Sequence, residues 1–153
     1  MSGTAMQITA MTDADVEAVV RLWDEGGLLR PWNDPRADIA TARRSGSSEV
    51  LVGRLSGHAP AGPNSRPNSI VGSVMVGFDG HRGWLYYLAV ARSCRGQGFG
   101  RALVLEAESW LERVGPAKVQ LMVRTDNACA AGFYRSLGYE PQDVTVLGRR
   151  LDQ

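Results

Sequence analysis

The chain has 153 residues, 44% of them hydrophobic and 22% charged, with a formal net charge of +1. That length suits one domain that buries a core without disulfides, and the near-neutral balance excludes a global basic field for nucleic acid or an anionic membrane. No run of about 18 apolar residues suggests a membrane span, and the first residues lack the basic-then-apolar layout of a signal peptide.

Met6 to Met11 alternate as a first strand. Thr12 then reads as an N-cap with Asp15 three residues on, an acidic form of the capping box. Val16, Val19, Val20 and Trp23 fall on one helical face, and Gly26-Gly27 ends that helix. The loop Leu28 to Asp34 carries Arg30 and Trp32 and reads either as a packed connector or as one wall of an acceptor site. Asp34 followed by Pro35 pairs a cap with proline at the first helical position, which predicts a second helix to about Arg44.

Strands are predicted over Glu49–Leu55 and Ser69–Phe78, the second made irregular by Gly72 and Gly77. Between them, residues 56–68 are rich in Gly, Pro, Asn and Ser with little to bury, which predicts a mobile hairpin tip bearing a solvated His58. Asp79 to Gly83 is a tight connection into Trp84–Val90, an antiparallel partner of the preceding strand. A glycine-spaced basic turn follows, then a helix with Leu103, Leu105, Ala107, Trp110, Leu111 and Val114 on its apolar face, stopped by Gly115-Pro116. Lys118–Arg124 reads as a strand, Asn127 as the cap of a helix to about Leu137, Gly138 as its stop, and Val144–Leu151 as a last strand. Cys94 and Cys129 are isolated, with neither a C-x-x-C pair nor clustered histidines. They predict free thiols in a reducing cytoplasm rather than a disulfide or a zinc site.

The turn between the buried strand and the long helix organises the chain. A helix start offers unpaired N–H groups and the positive end of its dipole. Glycines let an anion approach them, and Arg95 and Arg101 add charge, so the turn suits a phosphate or pyrophosphate. It is not a Walker A loop, because no Lys-Ser/Thr follows. Nor is it a dinucleotide fingerprint, because Arg101 stands where the third glycine belongs and no acid lies about twenty residues on.

Arg95-x-x-Gly98-x-Gly100 resembles the acyl-CoA loop of the GNAT N-acetyltransferases, and Asn127 through Phe133-Tyr134 to Gly138-Tyr139 resembles that family's second signature. The element order, β-α-α-β-β-β-α-β-α-β over roughly residues 6–151, is similar to the family fold. That fold is an α/β (α+β) arrangement: a mixed, mostly antiparallel sheet with helices on both faces and a splayed parallel strand pair. Leu28 to Pro35 and Asp79 to Gly83 also look like a small bacterial YpeA-type subgroup.

The resemblance implies acetyl-CoA as cosubstrate, no metal, and a primary amine as acceptor, whether a protein N-terminus, a lysine or a small molecule. It implies pantetheine along Leu88, Ala89 and Val90, and pyrophosphate on Arg95, Gly96, Gln97, Gly98, Phe99, Gly100 and Arg101, with Asn127 at a cofactor-contacting position. Tyr134 falls where the family places the acid that protonates the departing thiolate. Arg30, Trp32, Asp79 and His81 are acceptor-side candidates. The strand before the loop has no carboxylate, so Asp79, His81, Glu25 or a water chain is left to take the amine's proton. A homodimer is allowed; nucleic acid and membrane are not expected as partners. The alternative is a non-catalytic acyl-CoA sensor of the same fold. An acetyl-Cys129 route, from a thiol at a helix start, is the minor rival.

Overall fold

A computed structural model describes residues 5–56 and 68–152. The described chain falls into two compact units, one up to Met122 and one from Val123 onward. His58 and the expected hairpin tip lie outside the described residues.

The first unit runs β1 (Met6–Ala10), α1 (Val16–Glu25), α2 (Pro35–Arg44), β2 (Ser48–Leu55), β3 (Ile70–Phe78), β4 (Gly83–Val90), α3 (Phe99–Val114) and β5 (Val119–Leu121). Its five strands lie in chain order across one sheet. The first three pairings are antiparallel, and β4 with β5 is parallel. A parallel neighbour needs a crossover, and α3 supplies it.

Local chemistry sets the helix ends. The Thr12 backbone N–H donates to Asp15 at 2.8 Å, which closes the reach-back half of the expected capping box over a 3-10 turn, Asp13–Asp15, that leads into α1. Asp34 caps α2 by accepting from the N–H groups of Arg36 and Ala37, with Pro35 at the first position. Gly115 ends α3 at φ +110°, a backbone only glycine adopts without strain.

The sheet is covered on two faces. Val19, Val20, Leu22 and Trp23 of α1, with Ile39 and Ala42 of α2, pack in one cluster with Val50, Val52, Val71 and Ala89. On the other face α3 buries Leu103, Val104, Ala107 and Leu111. Glycine admits this helix closely: a Cβ at Gly83 would stand 2.5 Å from Leu111 Cδ1, and one at Gly72 would stand 2.7 Å from Leu103 Cδ1. An exposed two-pronged contact between Arg36 and Glu17 at 2.8 and 2.7 Å ties α2 to α1.

One extra residue interrupts β4. Met75 faces Tyr86 and Ser73 faces Ala89, so Tyr87 and Leu88 together stand opposite Val74. This is a β-bulge, and Tyr87 takes φ +53° to make it. Because strand side chains alternate with period two, the bulge reverses the faces: Gly83, before it, lies against α3, and Ala89, after it, packs with the α1 cluster.

The second unit holds α4 (Ala128–Ser136), capped by the Asn127 side chain at Ala130 N–H and followed by Gly138 at φ +92°. The expected last strand is not formed: residues 144–151 have no strand pairing, and Val144, Val146, Leu147 and Leu151 are 71%, 65%, 90% and 91% exposed. Alternation marks a face, but a strand exists only through a neighbour's backbone. The expected strand Lys118–Arg124 is likewise cut to Val119–Leu121.

Candidate active site

The glycine turn forms as its sequence predicts. After a 3-10 turn at Arg92–Cys94, Gly96 and Gly98 take φ +75° and +84°, and Gly98 is the N-cap of α3. Only glycine enters that region without cost. A Cβ at Gly96 or Gly98 would meet nothing within 4 Å, so these two residues are demanded by backbone conformation and not by crowding. Phe99, 8% exposed, anchors the start of the helix in the core, while residues 95–98 are exposed.

A helix leaves its first N–H groups without intrahelical acceptors. In α3 no side chain caps them and no acid stands in the first turn, whereas α2 satisfies its own with Asp34. The first turn of α3 contains Gly100 and Arg101, and Arg101 is exposed. An N-terminus with open space, positive dipole and local Arg fits a diphosphate.

The arginines beside it are placed by the strand ends. Arg95 Nε donates to the Val90 carbonyl at 3.1 Å, and Arg92 reaches the Glu25 carbonyl at the end of α1 at 3.2 Å. Gln97 bonds the Ser93 carbonyl at 3.4 Å. Cys94 is buried in the turn as a filler, and Cys129 is exposed.

The β4–β5 ladder covers only Gly83–Leu85 against Val119–Leu121. Beyond Leu85 no described strand pairs with this edge of β4, where Leu88, Ala89 and Val90 lie. Backbone groups on such an edge are ready to pair with an extended ligand.

The acceptor-side candidates scatter. Arg30 turns back on its own loop and donates to the carbonyls of Gly27 and Leu29, both at 2.8 Å. Trp32 is 54% exposed. Asp79 accepts from the backbone N–H of Arg82 at 2.7 Å, the Trp84 indole at 2.9 Å and the N–H of His81 at 2.8 Å. These bonds hold its carboxyl down at about 2, so it is ionised at neutral pH and a poor proton acceptor. His81 is exposed in the same turn. Across the bulge Leu88 is four ladder positions from Gly83, roughly 13 Å at strand rise, so this turn stands away from the bulge.

A group the sequence did not single out sits at the bulge. Tyr87 stacks flat on buried Trp23, with centroids 3.8 Å apart and planes 6° apart. Its hydroxyl donates to Asp38 Oδ2 at 2.7 Å. Trp23 Nε1 donates to buried Ser73 Oγ at 2.8 Å, and Ser73 Oγ donates to the Tyr87 carbonyl at 3.3 Å. Burial, then the bond to the Asp38 carboxylate, push the Tyr87 phenol well above its ordinary value.

In the second unit, Tyr134 meets Phe133 and Tyr139 edge to face at 5.0 and 5.6 Å. Burial pushes its phenol up to about 12.

A family model described as "Acetyltransferase (GNAT) family" matches residues 17–139. The chain belongs to the GNAT acetyltransferase family. This GNAT chain is 43% identical over 146 residues to Acetyltransferase YE1169 of Yersinia enterocolitica, covering 95% of this chain and 96% of the relative. Acetyltransferase ECA0875 of Pectobacterium atrosepticum is 42% identical over the same shares. Among solved structures, the aminoglycoside N-acetyltransferase AAC(6')-Iy in complex with CoA aligns with a TM-score of 0.75 at 16% identity, over 97% of each chain. A Trypanosoma brucei acetyltransferase aligns at 0.67 and 22% identity, over 95% of this chain and 100% of that one. The last two show the fold. The GNAT chain is thus an acetyltransferase with acetyl-CoA as its donor, and the sensor alternative finds no support. No helix among the described residues is long and apolar enough to cross a membrane.

Proposed function

We propose that this acetyltransferase acts on a primary amine in a ternary complex, with the diphosphate of the donor on the α3 N-terminus. The observation that carries the reading is that N-terminus: two left-handed glycines, no side-chain cap and no acid in its first turn, following the edge of β4 that no described strand pairs beyond Leu85. Pantetheine would lie along Leu88 to Val90. Val90's carbonyl already accepts from Arg95, but a carbonyl has a second lone pair for a ligand N–H.

The bound donor supplies a thioester activated for acyl transfer. The neutral amine nitrogen, its ammonium proton first lost to solvent through a water chain, attacks the carbonyl carbon. A C–N bond forms, the C–S bond breaks, nitrogen sheds its remaining extra proton to the same water chain, and the departing thiolate takes a proton from solvent. Negative charge develops first on the carbonyl oxygen, and the backbone N–H near Leu88 is the donor we assign to it. It passes next to sulfur. Tyr134 is assigned there as hydrogen-bond donor, on its match to the family signature and its retained proton. With its phenol near 12 and a thiol near 8.5, full proton transfer is uphill. Tyr134 therefore works mainly by stabilising the thiolate. Asn127 is assigned to cofactor contact beside its capping role.

No metal enters this scheme. A cytoplasmic location is proposed on the two cysteines, which form no disulfide. The test is thiol release from acetyl-CoA with a panel of primary amines, read with a thiol reagent, alongside calorimetry of CoA binding. Amine-dependent release with micromolar CoA binding is expected; CoA binding without release for any amine would overturn the catalytic assignment.

A further inference from the structure

Tyr87 is a bulky residue in the left-handed region, φ +53°, in the middle of a strand. L-residues pay for that conformation, and it persists only where the surroundings over-determine it. Here they do: the flat stack on Trp23, the Ser73 bond to its carbonyl and the Asp38 bond to its hydroxyl fix the residue at three points.

The polarity of the Asp38 bond decides what the phenol can do next. The hydroxyl is the donor in that bond, so the Tyr87 proton points at Asp38. The Asn33 side chain also hydrogen-bonds the phenol, and since the one hydroxyl proton is given to Asp38, Asn33 is the donor there. One donor and one of two acceptor sites on Tyr87 Oη are then used, which leaves one oxygen lone pair for a ligand. Tyr87 and Asp38 are half-buried, not sealed. The strongly raised phenol cannot itself become anionic at neutral pH, so the negative charge of the group rests on Asp38.

We propose that Tyr87 Oη and the Asp38 carboxylate form the recognition site for the acceptor's primary amino group. A primary ammonium offers three N–H donors and one positive charge, and this cluster offers oxygen acceptors and one negative charge. Leu88, the next residue, is the one whose N–H is assigned to the thioester oxygen. The site therefore rests on the reading given under Proposed function, in which the amine is bound from the residue that precedes the thioester's donor. The negative group comes from α2, 49 residues earlier in the chain; it docks the ammonium, which gives one proton to water before its nitrogen attacks. Tyr87 touches the amine. Asp38 is a positioning residue as well as the counter-charge, because it turns the phenol proton away from the nitrogen.

The test uses Tyr87→Phe, which keeps the stack on Trp23, and Asp38→Asn, which keeps an acceptor oxygen but removes the charge. The probes are n-butylamine, cadaverine, lysine and tyramine as acceptors, with acetyl-CoA as donor. For the best acceptor, Asp38→Asn should raise the amine KM at least tenfold. Tyr87→Phe should lower kcat/KM for the amine at least tenfold. In both, the KM for acetyl-CoA and the calorimetric Kd for CoA should stay within about twofold and the melting temperature within a few degrees. Asp38→Glu, with the charge restored, should recover part of the lost amine affinity. Wild-type amine kinetics in both variants overturn the proposal. So does equal loss in Asp38→Asn and Asp38→Glu, which would mark a structural role only. A wild-type protein that binds CoA but acetylates none of the four amines defeats the catalytic reading under Proposed function, and the proposal with it. Failure to bind CoA at all defeats the underlying reading instead, and the proposal with it.

Discussion

Burial holds the Tyr134 phenol at about 12, so its proton stays on at neutral pH, and the role proposed for it asks only a hydrogen bond to sulfur. Removing that donor with Tyr134→Phe should lower kcat about 100-fold while the Kd for CoA changes less than twofold. Unchanged turnover would clear Tyr134 of the role. Asp79 is shifted the other way. The N–H of Arg82, the Trp84 indole and the N–H of His81 hold its carboxyl at about 2, against about 3.9 in an unfolded chain. A depressed carboxyl stabilises the fold fully above the unfolded value and loses that contribution as pH falls through the folded one. The gap in melting temperature between wild type and Asp79→Asn should therefore be widest above about pH 5 and close between about pH 4 and pH 2. A gap independent of pH would mean the carboxylate's charge is not what fastens the turn. Tyr134 became a candidate through its resemblance to a family signature, whose residues from Asn127 to Gly138 lie close together in the chain. Sequence patterns could not show the Tyr87–Asp38 pair, since nothing local in either residue points to a partner 49 positions away.

At the scale of elements, α3 and its entry turn were the most legible part of the chain. Gly98, Phe99 and Gly115 each carry a signal for backbone or burial within a few residues, and the helix runs between them as read. Gly98→Ala tests the backbone half of that signal. The Cβ has room, so the cost is left-handed strain of about 1–2 kcal/mol, seen as a fall in melting temperature of about 2–8 °C. Gly98→Glu tests the electrostatic half. A carboxylate about 4 Å from a diphosphate repels it by roughly 4 kcal/mol at an effective dielectric constant near 20, so CoA affinity should fall at least about 100-fold. Retained tight binding would put the diphosphate elsewhere. The same local logic misled at Val144–Leu151, whose alternation matches a strand but whose side chains are exposed. Pairing is decided by what lies alongside, and a segment's own pattern does not contain that. The β4 bulge escaped for a related reason: no glycine flags it, and its left-handed residue is a tyrosine.

For the whole molecule, a net charge of +1 supplies no broad field for anions, so the proposed diphosphate capture rests on one helix end and a few arginines. Binding should show as ligand-linked stability. Acetyl-CoA at 100 times its Kd adds about 2.7 kcal/mol to unfolding, which for a chain of this length is a rise of roughly 5–11 °C in melting temperature. The rise should vanish in Gly98→Glu; an equal rise in that variant would mean the stabilisation comes from another site. The mixed sheet was legible as an order of elements, because hairpins and a crossover helix leave few ways to lay strands side by side.

The extra residue in β4 has a consequence for how this gene can change. Removing one codon around position 87 or 88 would restore simple alternation, so Ala89 would be carried from the α1 side of the sheet to the α3 side or the whole ladder with β3 would have to slip. Side chains there can be exchanged one at a time, as the Tyr87→Phe variant does, but the number of residues cannot. A random library of this chain should therefore return functional point substitutions across 84–90 and no functional single-residue deletions.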